Sequence, residues 1–165
     1  MVERQTHNAV NVATSVFGGS SPSRRTKIME DFSFGIIPIH TETKNVLLVE
    51  STSHEWGLPK GHKEPNDRTD EECALRELAE ETGISECLLV ADRRYEISYR
   101  INRDGIDCKK TVCFFPGFIK GFETHPAPDE ILTASWFSYT EALKKVSFDD
   151  VRLVLEKAYS DLDLQ

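Results

Sequence analysis

The chain has 165 residues, 39% hydrophobic and 29% charged, with a net charge of −8. That length suits one domain with its own core, and the acidic balance excludes broad electrostatic binding of nucleic acid, which needs a cationic surface. No apolar stretch reaches the roughly 18 residues of a membrane span, and Asn11, Thr14 and Ser15 interrupt residues 9–17, too polar for a signal-peptide core.

Residues 1–29 are rich in Ser, Asn, Gly and Arg, with G-G-S-S-P-S-R-R-T-K at 18–27, and read as a flexible arm ahead of a domain at 30–165. Order is expected from about Phe32. Phe34, Ile36, Ile37, Pro38 and Ile39 form an apolar run suited to a buried strand, and N-V-L-L-V-E at 45–50 a second, with a turn between them. A segment broken by Gly and Pro follows Trp56 and leads into a helix. Thr69 or Asp67 is its N-cap; Asp70, Glu71 and Glu72 put acids where the helix dipole favours them. Leu75, Leu78 and Ala79 give the apolar face, and Gly83 ends the helix.

Residues 87–90, 95–101 and 111–119 read as strands, the last two joined by the hairpin signal N-R-D-G at 102–105. A short strand at 134–138 precedes helices at 139–144 and 147–162, the second with Ser147 and Asp150 as a capping pair. Trp56 and Trp136 read as core. Cys73, Cys87, Cys108 and Cys113 make no C-x-x-C pair and read as free thiols of a reducing compartment, so a cytoplasmic location is expected.

The chemistry gathers on the first helix. Glu77, Glu80 and Glu81 stand at i, i+3 and i+4, one face of a helix, with Arg76 beside them. Like charges so close repel. A hard divalent cation, Mg2+ or Mn2+, would explain them, because it prefers carboxylate oxygens; a merely solvated acidic face has the same spacing. The surrounding pattern decides between the two.

Gly61 and the run R-E-L-A-E-E-T-G-I at 76–84 resemble the Nudix box of the Nudix hydrolases: a glycine, five residues, a glutamate, seven residues, then R-E-U-x-E-E-x-G-U with U aliphatic. Asp67 stands in the glutamate's place and one extra residue precedes Arg76, a departure in the loop. Beyond the box, W-G-L-P-K-G-H-K-E-P at 56–65, the strand of Tyr99, K-K-T-V-x-F-F at 109–115 and D-E-I-x-x-x-x-W at 129–136 look like the family's asymmetric dinucleoside tetraphosphate hydrolase branch.

The resemblance implies an α/β fold, an α/β/α sandwich around a central mixed β-sheet. It also implies Mg2+- or Mn2+-dependent hydrolysis of a phosphoanhydride in a nucleoside-diphosphate-linked substrate. By that likeness Glu80, Glu81 and the carbonyl of Lys60 bind metal. Glu77 binds a second metal or activates the water, and Glu130 supplies a further ligand or the base. Gly61, Asp67, Arg76 and Gly83 are structural, Asp67 pairing with Arg76. Lys60 and His62 meet phosphate, Tyr99 and Phe114 flank a base, and Lys109 and Lys110 serve the distal phosphates. The expected partner is a small nucleotide, a dinucleoside polyphosphate split asymmetrically, with no membrane. The alternatives are the mRNA 5′ cap, with Arg24, Arg25 and Lys27 holding RNA, then a diphosphoinositol polyphosphate. Least favoured is a Nudix fold that only binds, since all three helix glutamates remain. Oligomeric state is not legible.

Overall fold

A computed structural model describes residues 4–5 and 28–165; Arg24, Arg25 and Lys27 lie outside the described residues. In chain order the elements are β1 (Arg4–Gln5), β2 (Met29–His40), β3 (Val46–Ser51), β4 (Trp56–Gly57), β5 (Lys60–Gly61), α1 (Asp70–Thr82), β6 (Leu88–Leu89), β7 (Tyr95–Arg103), β8 (Ile106–Ile119), β9 (Ile131–Phe137), α2 (Tyr139–Lys145) and α3 (Asp149–Asp161). They divide into two compact units, one holding described residues 4–5, 28–31 and 98–111, the larger holding 32–97 and 112–165.

In the smaller unit β1 pairs antiparallel with β7, Arg4 opposite Ile101. The β7–β8 hairpin turns at Asp104 and Gly105, both with positive φ (54° and 82°), and the Asn102 side chain accepts the Gly105 N–H at 2.9 Å. A side chain tolerates such backbone poorly, so Asp and Gly belong there. Asp31 takes Arg103 and Lys110 at 3.1 Å each.

In the larger unit the strand order is β8-β2-β3-β4, with β9 on β3, β5 on β2 and β6 on β8. The Thr41 N–H, just past the end of β2, donates to the Ile119 carbonyl at the end of β8. At the other end a Cβ on Gly35 would lie 3.1 Å from the Phe114 ring. The two strands therefore run the same way, while β2–β3 and β3–β9 are antiparallel, and the sheet is mixed. Period-two alternation sorts its side chains. Phe34, Ile36, Leu47, Cys113, Phe115 and Ile119 meet Cys73, Ala74, Leu78 and Ile84 in one buried cluster beneath α1. Ile37, Ile39, Val46, Leu48, Val112 and Phe114 belong to the other face, and α3 buries Val151, Val154, Leu155, Ala158 and Tyr159. Each buried Val, Leu, Ile or Phe among them contributes about 1.5–3 kcal/mol. Helix α2 packs on β3, β9 and α3, completing a sheet flanked by helices.

Several boundaries differ from expectation. Strand β2 begins at Met29, before Phe32, and β8 begins directly after the hairpin turn. The Gly/Pro-broken segment holds β4 and β5, each two residues and too short for any periodicity; β5 pairs Lys60 with Gly35. Ser147 and Asp150 do not cap α3, whose N-cap is Phe148 with no side-chain bond. Ser147 is drawn to Trp56 instead, its hydroxyl accepting the Trp56 N–H at 2.8 Å and its own N–H donating to the Trp56 carbonyl. A full capping box is found on α2, between Ser138 and Glu141. All four cysteines are free. Among the described residues no helix is long and apolar enough to cross a membrane.

Candidate active site

Helix α1 starts where Thr69 accepts the Glu72 N–H at 3.0 Å, so Thr69 is the cap and Asp67 is released for another task. The helix ends at Gly83, φ 77°, whose N–H returns to the Ala79 carbonyl at 2.8 Å. The buried stripe is Cys73, Ala74, Glu77, Leu78, Glu81 and Thr82. Ala79, expected to face the core, lies off this stripe, and two carboxylates lie on it.

That placement separates the three glutamates. Glu77 and Glu81 are each only 8% exposed, whereas the Glu80 side chain is 54% exposed and accepts from Arg76 Nη1 at 3.0 Å. Neighbours in sequence differ by 100° around the helix, so Glu80 leaves the common point that the spacing suggested. Gly61 of β5 lies directly against Glu77: a Cβ there would fall 2.1–2.3 Å from three atoms of its carboxyl group. Only glycine permits that approach. The Lys60 N–H donates to Glu81 Oε2 at 3.3 Å. Strand β5 thus covers both buried acids.

Arg76 fastens the preceding loop. Its Nε and Nη2 donate to the Asp67 carboxylate at 3.0 and 2.8 Å, Nη2 also to the His62 carbonyl at 2.8 Å, and Nη1 to Glu77 at 3.0 Å. Glu72, four residues before Arg76 on the helix, pairs with Arg68 at 2.8 Å. Asp67 in turn accepts the Glu64 N–H at 2.8 Å across the E-P-N-D turn, a turn sequence that absorbs the extra residue. Hydrogen bonding from Arg76 holds the Asp67 carboxyl down at about 2.

The two covered acids shift the other way from Asp67. Burial pushes Glu81 up to about 8, against the opposing charge and N–H of Lys60, and the charges of Glu77 and Glu130 add to the rise. Burial also raises Glu77, with Arg76 opposing and Glu80 and Glu130 adding. Glu130 is itself exposed, in the turn before β9. Among the described residues no three His, Cys, Asp or Glu side chains stand at mutual metal-binding distance. Mg2+, however, is commonly held by one or two carboxylates, with water and substrate phosphate completing its shell. Two buried, mutually repelling carboxylates with hard oxygen donors fit that requirement.

The larger unit therefore gathers Lys60, Gly61, the His62 carbonyl, Asp67, Arg76, Glu77, Glu80 and Glu81, with Glu130 near enough for its charge to be felt. Phe114, in the same unit, is 1% exposed and packed in the core. Tyr99 is half-buried and Lys109 exposed in the smaller unit, where Lys110 is 5% exposed against Asp31. Sequence reasoning did not find the contact of the 120–130 loop with α1, where the His125 N–H donates to the Thr82 carbonyl at 2.7 Å. A backbone contact of this kind leaves no residue signature.

The fold, with its glutamate-bearing helix under a glycine strand, defines a Nudix domain, and the NUDIX family model matches residues 29–156. The chain belongs to the Nudix family of hydrolases. Among its relatives, the asymmetrical bis(5′-nucleosyl)-tetraphosphatase of Rattus norvegicus is 29% identical over 133 residues, covering 77% of this chain and 87% of the rat protein. A Mycobacterium tuberculosis protein carrying the name MutT4 is 35% identical over 108 residues, 66% of this chain but 42% of its own length. In fold the chain is similar to a C. elegans Ap4A hydrolase in a binary complex, with TM-score 0.70 and 20% identity over 80% of this chain and 97% of that one.

Proposed function

We propose that this Nudix hydrolase cleaves a phosphoanhydride bond of dinucleoside polyphosphates, splitting a dinucleoside tetraphosphate into a nucleoside triphosphate and a monophosphate. The observation that carries the chemistry is the pair of buried carboxylates, Glu77 and Glu81, pressed against β5. Similarity to the rat tetraphosphatase over 87% of its length supports the substrate class.

Glu77 and Glu81, with Glu80, Glu130 and the Lys60 carbonyl, are the groups that would hold Mg2+ or Mn2+. The ion supplies charge neutralisation at the phosphates and a more acidic bound water. The chain's own contribution is placement. Strand β5 shields the acids from bulk water, which strengthens their interaction with any cation. Arg76, clasping Asp67 and the His62 carbonyl, holds the loop so that Lys60 and His62 stay beside the acids. Glu77, the acid lying under Gly61, is assigned to orient the attacking water and accept its proton. Lys60 serves as a point charge toward phosphate. Tyr99 and Lys109 remain candidate contacts for base and distal phosphates on the strength of the motif, as do Phe114 and Lys110, which are engaged in core packing and the Asp31 pair.

The test is a substrate panel in Mg2+ with product identification, containing diadenosine tetraphosphate, capped RNA and a diphosphoinositol polyphosphate. The expected products are ATP and AMP from the first compound. Its survival while capped RNA is decapped, or its cleavage to two ADP, would overturn the proposal.

A further inference from the structure

The segment between β8 and β9, residues 120–130, is tied to the rest of the larger unit at two places and closes in a turn. Near its start the Trp136 indole N–H donates to the Phe122 carbonyl at 3.0 Å, and the Phe122 ring stacks on His40 at 3.7 Å between centroids. In its middle the His125 N–H donates to the Thr82 carbonyl at 2.7 Å. At its end the Ala127 carbonyl accepts the Glu130 and Ile131 N–H groups at 3.2 and 2.9 Å, a turn delivering the chain into β9.

The middle contact is the one that reaches the catalytic helix. Thr82 is the last residue of α1, and carbonyls at a helix end have no partner within the helix. Gly83 makes the approach possible, since a Cβ there would lie 2.9 Å from the His125 Cβ and 3.1 Å from its nitrogen. Its positive φ already favours glycine, so the box's last glycine answers two demands at once. From His125 the chain reads H-P-A-P-D-E, and Pro126 and Pro128 each fix a backbone angle. The two prolines restrict the short path from His125 to Glu130, whose charge adds to the rise of both Glu77 and Glu81.

We propose that the His125 backbone, seated on the Thr82 carbonyl over Gly83, positions Glu130 beside the acids of α1. His125 and Gly83 are positioning residues acting through Glu130. The inference rests on the reading above that Glu130 serves the reaction.

The experiment compares the full chain with H125A, which keeps the backbone N–H, H125P, which removes it, G83A, which closes the seat from the helix side, E130Q, and H125P/E130Q. Hydrogen–deuterium exchange of residues 121–131 is measured beside kcat and KM for diadenosine tetraphosphate, or ADP-ribose if the first is not turned over. The segment is expected to be protected in the unchanged chain and H125A and to exchange faster in H125P and G83A. H125P and G83A should lose about ten-fold in kcat, as small misplacements do, with KM nearly unchanged. On the E130Q background H125P should add almost nothing. Should H125P fail to fold, G83A carries the same comparison. An unprotected segment in the unchanged chain, full kcat in H125P, or losses that multiply in the double variant would overturn the positioning claim alone. Full activity of E130Q would overturn the role of Glu130 and this claim with it, and no turnover of diadenosine tetraphosphate would overturn the proposed function, whether or not ADP-ribose is cleaved.

Discussion

Glu81 is a carboxylate kept where ionisation is unfavourable, and without a bound cation that costs the fold stability. Its folded value is raised from 4.5 to about 8. Between these values the folded chain holds a proton that the unfolded chain has released, so stability falls as pH rises through this window. E81Q removes the penalty. In EDTA it is expected to melt above the unchanged chain at pH 8.5, with the difference vanishing towards pH 4.5; an equal melting temperature at both pH values would contradict this. Asp67 has the opposite sign. Held at about 2 by Arg76, against 3.8 for a free aspartate, it contributes stability that is present above pH 3.8 and lost as pH falls through 2. D67N should therefore melt lower at neutral pH and show a shallower acid decline between pH 4 and 2 in a thermal-melt series. The pairing of Asp67 with Arg76 was legible only through the family resemblance, in which Asp67 takes the place of the box glutamate. The outward turn of Glu80 was not legible: three glutamates share a face on paper, but Arg76 competes for one of them.

At the scale of elements, the site is made by β5 lying on α1. The contact depends on Gly61, where a Cβ would meet the Glu77 carboxyl at 2.1 Å. G61A is expected to destabilise the fold by about 1–3 kcal/mol, the range for overpacking a closed contact, and to lower kcat through displacement of Glu77. Urea unfolding and steady-state kinetics check the two effects, and an unchanged kcat would show that Glu77 tolerates displacement. The long strands and helices were readable because apolar runs and helical spacing persist over many residues. Strands β4 and β5 were not, since two residues carry no period and their pairing with β3 and β2 is set by tertiary packing. Of the apolar face expected on α1, Leu78 is buried and Leu75 packs against the core cluster, whereas Ala79 lies off the buried stripe: the sheet selected Ala74 over Ala79, and hydrophobicity alone could not rank residues so similar.

For the whole molecule, the covered acids couple cation binding to stability. A ligand that binds only the folded state stabilises it by about 2.7 kcal/mol at a concentration one hundred times its dissociation constant. At this chain length that corresponds to a rise of about 5–10 °C in melting temperature. Saturating Mg2+ should produce such a rise at pH 7.5 in the unchanged chain and little in E81Q, as seen by differential scanning calorimetry.

The claim on which the rest depends is that the buried acids of α1 carry the hydrolysis. The most direct measurement is the rate of diadenosine tetraphosphate cleavage in Mg2+ by the unchanged chain and by E81Q, with far-UV circular dichroism showing both folded. ATP and AMP are expected from the unchanged chain, with a loss of about 100-fold or more in E81Q, the order seen when a key electrostatic group is removed from an active site. An E81Q rate close to that of the unchanged chain would contradict it.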